Sequence, residues 1–276
     1  MTKSYTVPGG DDLNIHVREW GNPKGRALLF IHGWSQNYLC WQKQYESELS
    51  KNFRIVALDI RGHGMSGAPE AVENYNNSQL WADDINAVIN SLQLERPILI
   101  GWSYGGLVIG DYIRNYGTEQ ISGINFVAAS AALNESALGT LIGPGFYENF
   151  EAATNPDLAV SLPAIVAFLR DCFEIQPNHA EFELMVAFNA HVSPVIRSNL
   201  AARDLDNKDI LQKTDIPVLV THGRRDKVVL PASGEYFLTH CPTASASWYD
   251  KIGHAPFFED APRFNSELAV FAGDIL

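Results

Sequence analysis

A serine framed by glycines, Gly101-Trp102-Ser103-Tyr104-Gly105, stands where a short apolar run, Pro97 to Ile100, gives way to a helix-like pattern, Leu107 to Tyr116. Glycine has no Cβ, so the chain can turn sharply there from strand to helix and push the serine hydroxyl out at the strand's carboxyl end. Ser103 is thereby a candidate nucleophile. A serine hydroxyl attacks weakly at its free pKa, so the chemistry requires a histidine within hydrogen-bond reach and a carboxylate that orients it. Asp226 and His254 have the right types and settings. Asp226 lies just past the apolar run Ile216 to Thr221, with Gly223 between, and His254 follows Gly253 on a loop beyond the strand candidate Ala246 to Tyr249. The chain order serine, aspartate, histidine distinguishes this arrangement from those of the other unrelated folds that build the same triad. Asp250 and Asp260 are closer to His254 in sequence, but neither trails a buried strand in this way. Negative charge developing on a carbonyl oxygen also needs fixed donors. His32-Gly33-Trp34, at the end of the apolar run Ala27 to Ile31, offers the Trp34 backbone N–H, to be paired with the N–H of Tyr104 directly after the nucleophile.

To bring these residues to one edge, the chain needs parallel strands that all end on the same side. Ala27 to Ile31, Phe53 to Leu58, the run before Ser103, Ile121 to Ala128, Ile216 to Thr221 and Ala246 to Tyr249 are short and apolar, as strands buried on both faces are. Helical patterns alternate with them at Asn37 to Leu49, at Ser78 to Leu92 with Ser78 as the N-cap, after Ser103, and at Pro262 to Phe271. The expected architecture is α/β, a mostly parallel doubly wound sheet. Leu13 to Trp20 alternates apolar and polar, predicting an antiparallel edge strand with His16 on its surface. Asp59, Arg61 and His63 lie in a loop with three glycines, where His63 reads as a tie within the loop in preference to a catalytic base.

The alternation breaks at Ala129. From there to Lys213 the pattern is helical, around Ala159 to Phe173, Asn178 to Ala190 and Pro194 to Asp204, punctuated by prolines and without a strand-like run. Residues 1–129 and 214–276 are therefore expected to form the core, and 130–213 a helical cap over the strand ends. Trp34, Trp102, Phe146 and Phe168 are the candidate substrate contacts, among other cap aromatics that serve equally as helix packing. His179 and His191 have no ligand spacing and read as surface or packing residues.

The sequence of 276 residues has a formal net charge of -12 and 46% hydrophobic content. The charge argues against a nucleic-acid partner, whose phosphates it would repel. No apolar run approaches the ~20 residues of a membrane span and no apolar signal core follows Met1, so a cytoplasmic protein is expected. Cys40, Cys172 and Cys241 are odd in number and far apart, which points to neither a disulfide framework nor a metal site; no metal or cofactor is expected. Exposed apolar cap residues would be covered either in a homodimer or by a small-molecule substrate.

The motifs His32-Gly33-Trp34, Asp59-Ile60-Arg61-Gly62-His63-Gly64-Met65-Ser66, Gly101 to Gly105, Gly223-Arg224-Arg225-Asp226 and Gly253-His254-Ala255-Pro256-Phe257-Phe258-Glu259 together resemble those of the α/β-hydrolase superfamily, in the cap-bearing branch of carboxylesterases and cofactor-free haloperoxidases. The resemblance spans essentially the whole chain. It implies hydrolysis at a carbon centre without metal or organic cofactor. Dehalogenases and most epoxide hydrolases of the superfamily carry an aspartate nucleophile, so Ser103 points away from both. Many haloperoxidase-like members have proline where this chain has Ser35. The expectation is a carboxylesterase acting on small to medium, largely apolar esters through an acyl-enzyme on Ser103. Perhydrolase (haloperoxidase) and lactonase chemistry would use the same triad, and a ligand-binding protein on the same fold is the non-enzymatic alternative.

Overall fold

The computed structural model describes residues 2–275. The strands among these residues are β1 (Lys3–Pro8), β2 (Asn14–Gly21), β3 (Ala27–Ile31), β4 (Arg54–Leu58), β5 (Ile98–Trp102), β6 (Gly123–Val127), β7 (Ala132–Leu133), β8 (Leu205–Asp206), β9 (Val218–Gly223) and β10 (Ala244–Tyr249). Eight of them form one sheet in the order β1-β2-β4-β3-β5-β6-β9-β10. From β4 to β10 every neighbouring pair is parallel, whereas β2 runs antiparallel to both β1 and β4. Every residue of β3, β5 and β6 is buried, because helices cover both faces of the sheet. The strand that leads into Ser103, β5, runs through the middle of the sheet.

Three local expectations change. The segment Leu13 to Trp20 is not an edge, because Lys3–Pro8 pairs outside it; that short strand carries Lys3, Ser4 and Thr6 and lacks a strong apolar signal. The helix expected over Asn37 to Leu49 is instead a 3-10 turn Tyr38–Trp41 followed by single helical turns, Gln42–Tyr45 and Leu49–Asn52. Between them the Ser47 hydroxyl donates to the Gln44 carbonyl at 2.7 Å and accepts from the Leu49 N–H at 3.2 Å, taking backbone groups away from a continuous helix. The helix Ser78–Ser91 is capped by Asn77, whose Oδ1 accepts from the Gln79 N–H at 3.0 Å, and not by Ser78.

Between β6 and β9 the chain carries the helices Pro144–Ala153, Leu158–Asp171, His179–Ala190 and Pro194–Ala201. Their starts follow from side-chain caps: Asp157 accepts from Ala159, Ser193 from Ile196, and Asn178 forms a reciprocal box with Glu181. The segment also contains a strand pair where none was expected. Ala132 and Leu133 of β7 pair with Asp206 and Leu205 of β8, a ribbon too short for alternation to announce it. The last of the four helices packs over the strand ends, where the Trp34 indole and the Tyr104 hydroxyl donate to its Arg197 and Leu200 carbonyls.

Candidate active site

Ser103 stands between β5 and the helix Tyr104–Tyr116 with φ 56° and ψ -116°, a conformation that L-residues avoid. Its surroundings over-determine that backbone. The Ser103 N–H donates to Val127 O, and its carbonyl accepts from the N–H groups of Gly106 and Ser130. A Cβ at Gly105 would come within 2.4 Å of the Ile31 carbonyl oxygen, and one at Gly101 within 2.7 Å of the Gly105 oxygen, so the elbow can pack this tightly only with glycine at both positions. Ser103 remains 9% exposed.

His254 and Asp226 meet next to Trp102, the residue before Ser103. The His254 Nδ1 lies 2.7 Å from Asp226 Oδ2. A carboxylate only accepts, so the proton is on Nδ1 and Nε2 is the ring nitrogen left with a lone pair. Asp226 takes its other bonds from the backbone N–H groups of Val228 and Val229 on Oδ1, while His222 Nε2, which donates to the Val229 carbonyl at 2.9 Å, lies 3.2 Å from Oδ2. Burial alone would raise the Asp226 carboxyl's pKa, but the two imidazoles and their hydrogen bonds prevail and hold it below the usual carboxylate range. The His254 loop is tied in place by three elements. The Trp102 indole N–H donates to the His254 carbonyl at 2.8 Å, the His254 N–H donates to Cys172 O, and the Glu259 carboxylate accepts from Gly253 and Ala255 on one oxygen and from Glu174 and Ile175 on the other.

Gly33 brings the opposite wall against Ser103. A Cβ there would lie 3.0 Å from the Ser103 Cβ and 3.3 Å from the Trp102 oxygen. Around it the Ser35 N–H donates to His63 Nε2 at 3.0 Å and the Gln36 N–H to Gly33 O, while the backbone N–H groups of Trp34 and Tyr104 donate to no protein acceptor among the described residues. Trp34, Ser103 and Tyr104 line one cavity.

His63 uses both ring nitrogens in the loop: Nδ1–H donates to Arg61 O at 2.9 Å and Nε2 accepts from Ser35. Asp59 joins the same tie by accepting from Tyr38, Met65 and His16 Nδ1. His16 is therefore an anchor of this loop and more than a surface strand residue. Arg61 forks onto the buried carboxylate of Asp84.

A cavity of about 30 Å³ adjoins Ser103, lined by Trp34, Leu107, Phe146, Leu200, Val228 and Val229 among others. Of the four aromatic residues expected at the substrate, Trp34 and Phe146 line it. Phe168 stands behind them, edge-on to Trp34 at 5.1 Å between ring centroids. Trp102 faces the other way: its side chain alternates to the far side of the elbow, packed among Trp41, Phe257 and His254. Val228 and Val229 were not anticipated, although their place two and three residues after Asp226 lets their amides hold its carboxylate while both residues line the cavity beside Ser103. A wider cleft of about 790 Å³, lined by Lys43, Leu49, Phe258 and Pro262 among others, contains none of these residues. Among the described residues no cluster of three or more His, Cys, Asp or Glu side chains is placed to hold a metal ion.

Known proteins resemble this chain over most of its length. The family model described as the alpha/beta hydrolase fold matches residues 26–261. The bifunctional esterase/perhydrolase DCH of Acinetobacter calcoaceticus is 24% identical over 284 residues, covering 95% of this chain and 96% of that protein. A non-heme chloroperoxidase of Streptomyces lividans is 27% identical over 286 residues, covering 96% and 98%. The crystal structure of the esterase RhEst1 from Rhodococcus sp. ECU1013 superposes with a TM-score of 0.94 at 33% identity, covering 99% of each chain.

Proposed function

The chain belongs to the alpha/beta hydrolase family, and from that premise we propose that it is a serine esterase whose triad is Ser103, Asp226 and His254. The observation that carries this reading is the His254–Asp226 hydrogen bond of 2.7 Å, held by the residue directly preceding Ser103. In the proposed mechanism the His254 Nε2 takes the Ser103 proton as Oγ attacks the ester carbonyl. Asp226 fixes the imidazole tautomer and stabilises the imidazolium. The Trp34 and Tyr104 amides receive the oxyanion, a donor of this kind contributing roughly 3 kcal/mol to the transition state. His254 then gives its proton to the departing alcohol and next activates the water that releases the acid.

The substrate proposed is a small, largely apolar ester, bound under residues 130–213 acting as a cap. No transmembrane-length apolar helix occurs among the described residues. The three buried free cysteines fit the reducing cytoplasm as the working compartment. Among the related chemistries, one observation favours ester hydrolysis over the haloperoxidase type. Ser35 has φ 61° and donates its N–H to His63, whereas proline locks φ near -65° and has no N–H. The oxyanion loop of this chain is therefore not the proline-bearing loop of many haloperoxidase-like members.

Ser103→Ala should abolish hydrolysis of p-nitrophenyl acetate, by about 10³-fold or more, with the melting temperature unchanged. Initial rates of the two proteins test this, and an undiminished rate in the variant would sink the proposal.

A further inference from the structure

One buried charge takes no part in the mechanism above. Arg197, on the helix Pro194–Ala201, is 1% exposed, yet it forms no ion pair with a carboxylate among the described residues. Its guanidinium is satisfied by neutral acceptors: Nε donates to Ser35 Oγ at 3.1 Å, Nη1 to the Ala153 carbonyl at 3.0 Å and Nη2 to the Asn189 carbonyl at 2.8 Å. Burial lowers its pKa to about 10, so it stays a cation at neutral pH. A buried charge without a counter-ion is costly and rarely kept without a use.

Its position relative to the oxyanion loop suggests that use. Arg197 grips two successive residues of the loop from both ends of its own structure. Its side chain holds Ser35, and its main-chain carbonyl accepts from the Trp34 indole at 3.1 Å. Ser35 needs holding, because φ 61° is a left-handed conformation that a side chain disfavours. The neighbouring Gln36 and Asn189 amides exchange a pair of 3.3 Å hydrogen bonds across the same junction.

We propose that Arg197 is a positioning residue: it latches Trp34 and Ser35 so that the Trp34 N–H faces the nucleophile, and it supplies a buried positive charge behind the place where the oxyanion forms. The oxyanion hole is then complete only while the helix Pro194–Ala201 is seated, which couples docking of the segment over the strand ends to catalytic competence. The inference rests on the triad reading given above.

The test compares Arg197→Lys, which keeps the charge but loses the fork, Arg197→Met, which loses both, and Ser35→Ala, which removes only the receiving hydroxyl. Each is assayed for kcat and KM on p-nitrophenyl acetate and for affinity toward a small alkylboronic acid. The boronic acid forms a tetrahedral anion when Ser103 Oγ bonds to boron and its proton passes to His254. A latch predicts that kcat and boronic-acid affinity fall together while KM changes less than about threefold. The fall should be about tenfold in Ser35→Ala and in Arg197→Lys and nearer 100-fold in Arg197→Met, below or at the loss for removing an oxyanion donor outright. If Arg197→Met does not fold, the other two variants carry the test. Full kcat and full boronic-acid affinity in folded Ser35→Ala and Arg197→Lys would overturn the latch, as would a loss confined to KM. If the unaltered protein neither hydrolyses the ester nor binds the boronic acid, the triad reading fails, and the latch with it.

Discussion

Two histidines at the mouth of the sheet show how single residues set this protein's tolerance of acid. His32 and His63 each donate Nδ1–H to a carbonyl, of Gly33 and Arg61 respectively, and each accepts on Nε2 from a backbone N–H, of Ile60 and Ser35. Protonating either ring would press two donors together, and their rings are only 5.1 Å apart. Burial first, and the neighbouring His32 second, push the His63 pKa down from 6.5 to about 3, and burial lowers His32 in the same direction. Above pH 6.5 neither folded nor unfolded chain carries this proton. Between about 6.5 and 3 only the unfolded chain binds it, so stability falls as the pH drops through that window. His63→Asn should be less stable at pH 7.5 but lose less on going to pH 4.5 than the unaltered protein, as melting temperatures at the two pH values will show; an equal loss would mean that His63 does not titrate this way. At this scale the proposed triad could be read from the sequence because each residue has a chemistry and a punctuation: serine between glycines, aspartate and histidine just past strands. Trp102 was misplaced because a residue beside a nucleophile can point to either face of the turn, and only packing against Trp41 and Phe257 decides which.

Among elements, the decisive contact is the one between the β3 end and the elbow. Gly33→Ala would set a methyl 3.0 Å from the Ser103 Cβ, where the neighbour on the other side is backbone. A displacement of under an ångström at reacting atoms is enough for a loss of about 100-fold in kcat/KM, and that is the expected effect, with secondary structure by circular dichroism unchanged. Retained activity would show that the loop bearing Trp34 is freer than its packing implies. The buried strands were legible as apolar runs, and the helix Ser78–Ser91 as a periodic one. The edge strand Lys3–Pro8 was not, since a half-exposed strand of lysine, serine and threonine has its pairing decided by its neighbour. The turns of Tyr38–Asn52 escaped for a related reason: apolar residues recur at helical spacing there, but Ser47 spends the backbone bonds that a helix would need.

For the molecule as a whole, the selectivity proposed here depends on how closely the segment over the strand ends is packed down. The cavity of about 30 Å³ beside Ser103 has room for one or two waters and no long acyl chain. Rates on p-nitrophenyl esters should therefore fall steadily from acetate to octanoate, and Phe146→Ala, by removing a wall of the cavity, should raise the octanoate rate relative to acetate by roughly tenfold, in line with a few methylene contacts. A flat profile in both proteins would assign the wall elsewhere. Sequence revealed that this segment is helical but not which residues face the substrate. The helix His179–Ala190 shows why, with Phe182, Leu184, Met185, Val186 and Phe188 spread around its circumference so that no single face declares itself. The ribbon of β7 and β8 bears on the protein's history. It brings the two ends of the intervening stretch side by side, so the sheet meets that stretch as it would any surface loop, whose closure cost grows only with the logarithm of its length. Such a stretch can be lengthened, shortened or traded between lineages like a cassette, leaving strand order and elbow untouched. The exchange carries a chemical condition: an incoming cassette must bring its own partners for Trp34 and Ser35 and for the His254 loop, which this one holds through Cys172.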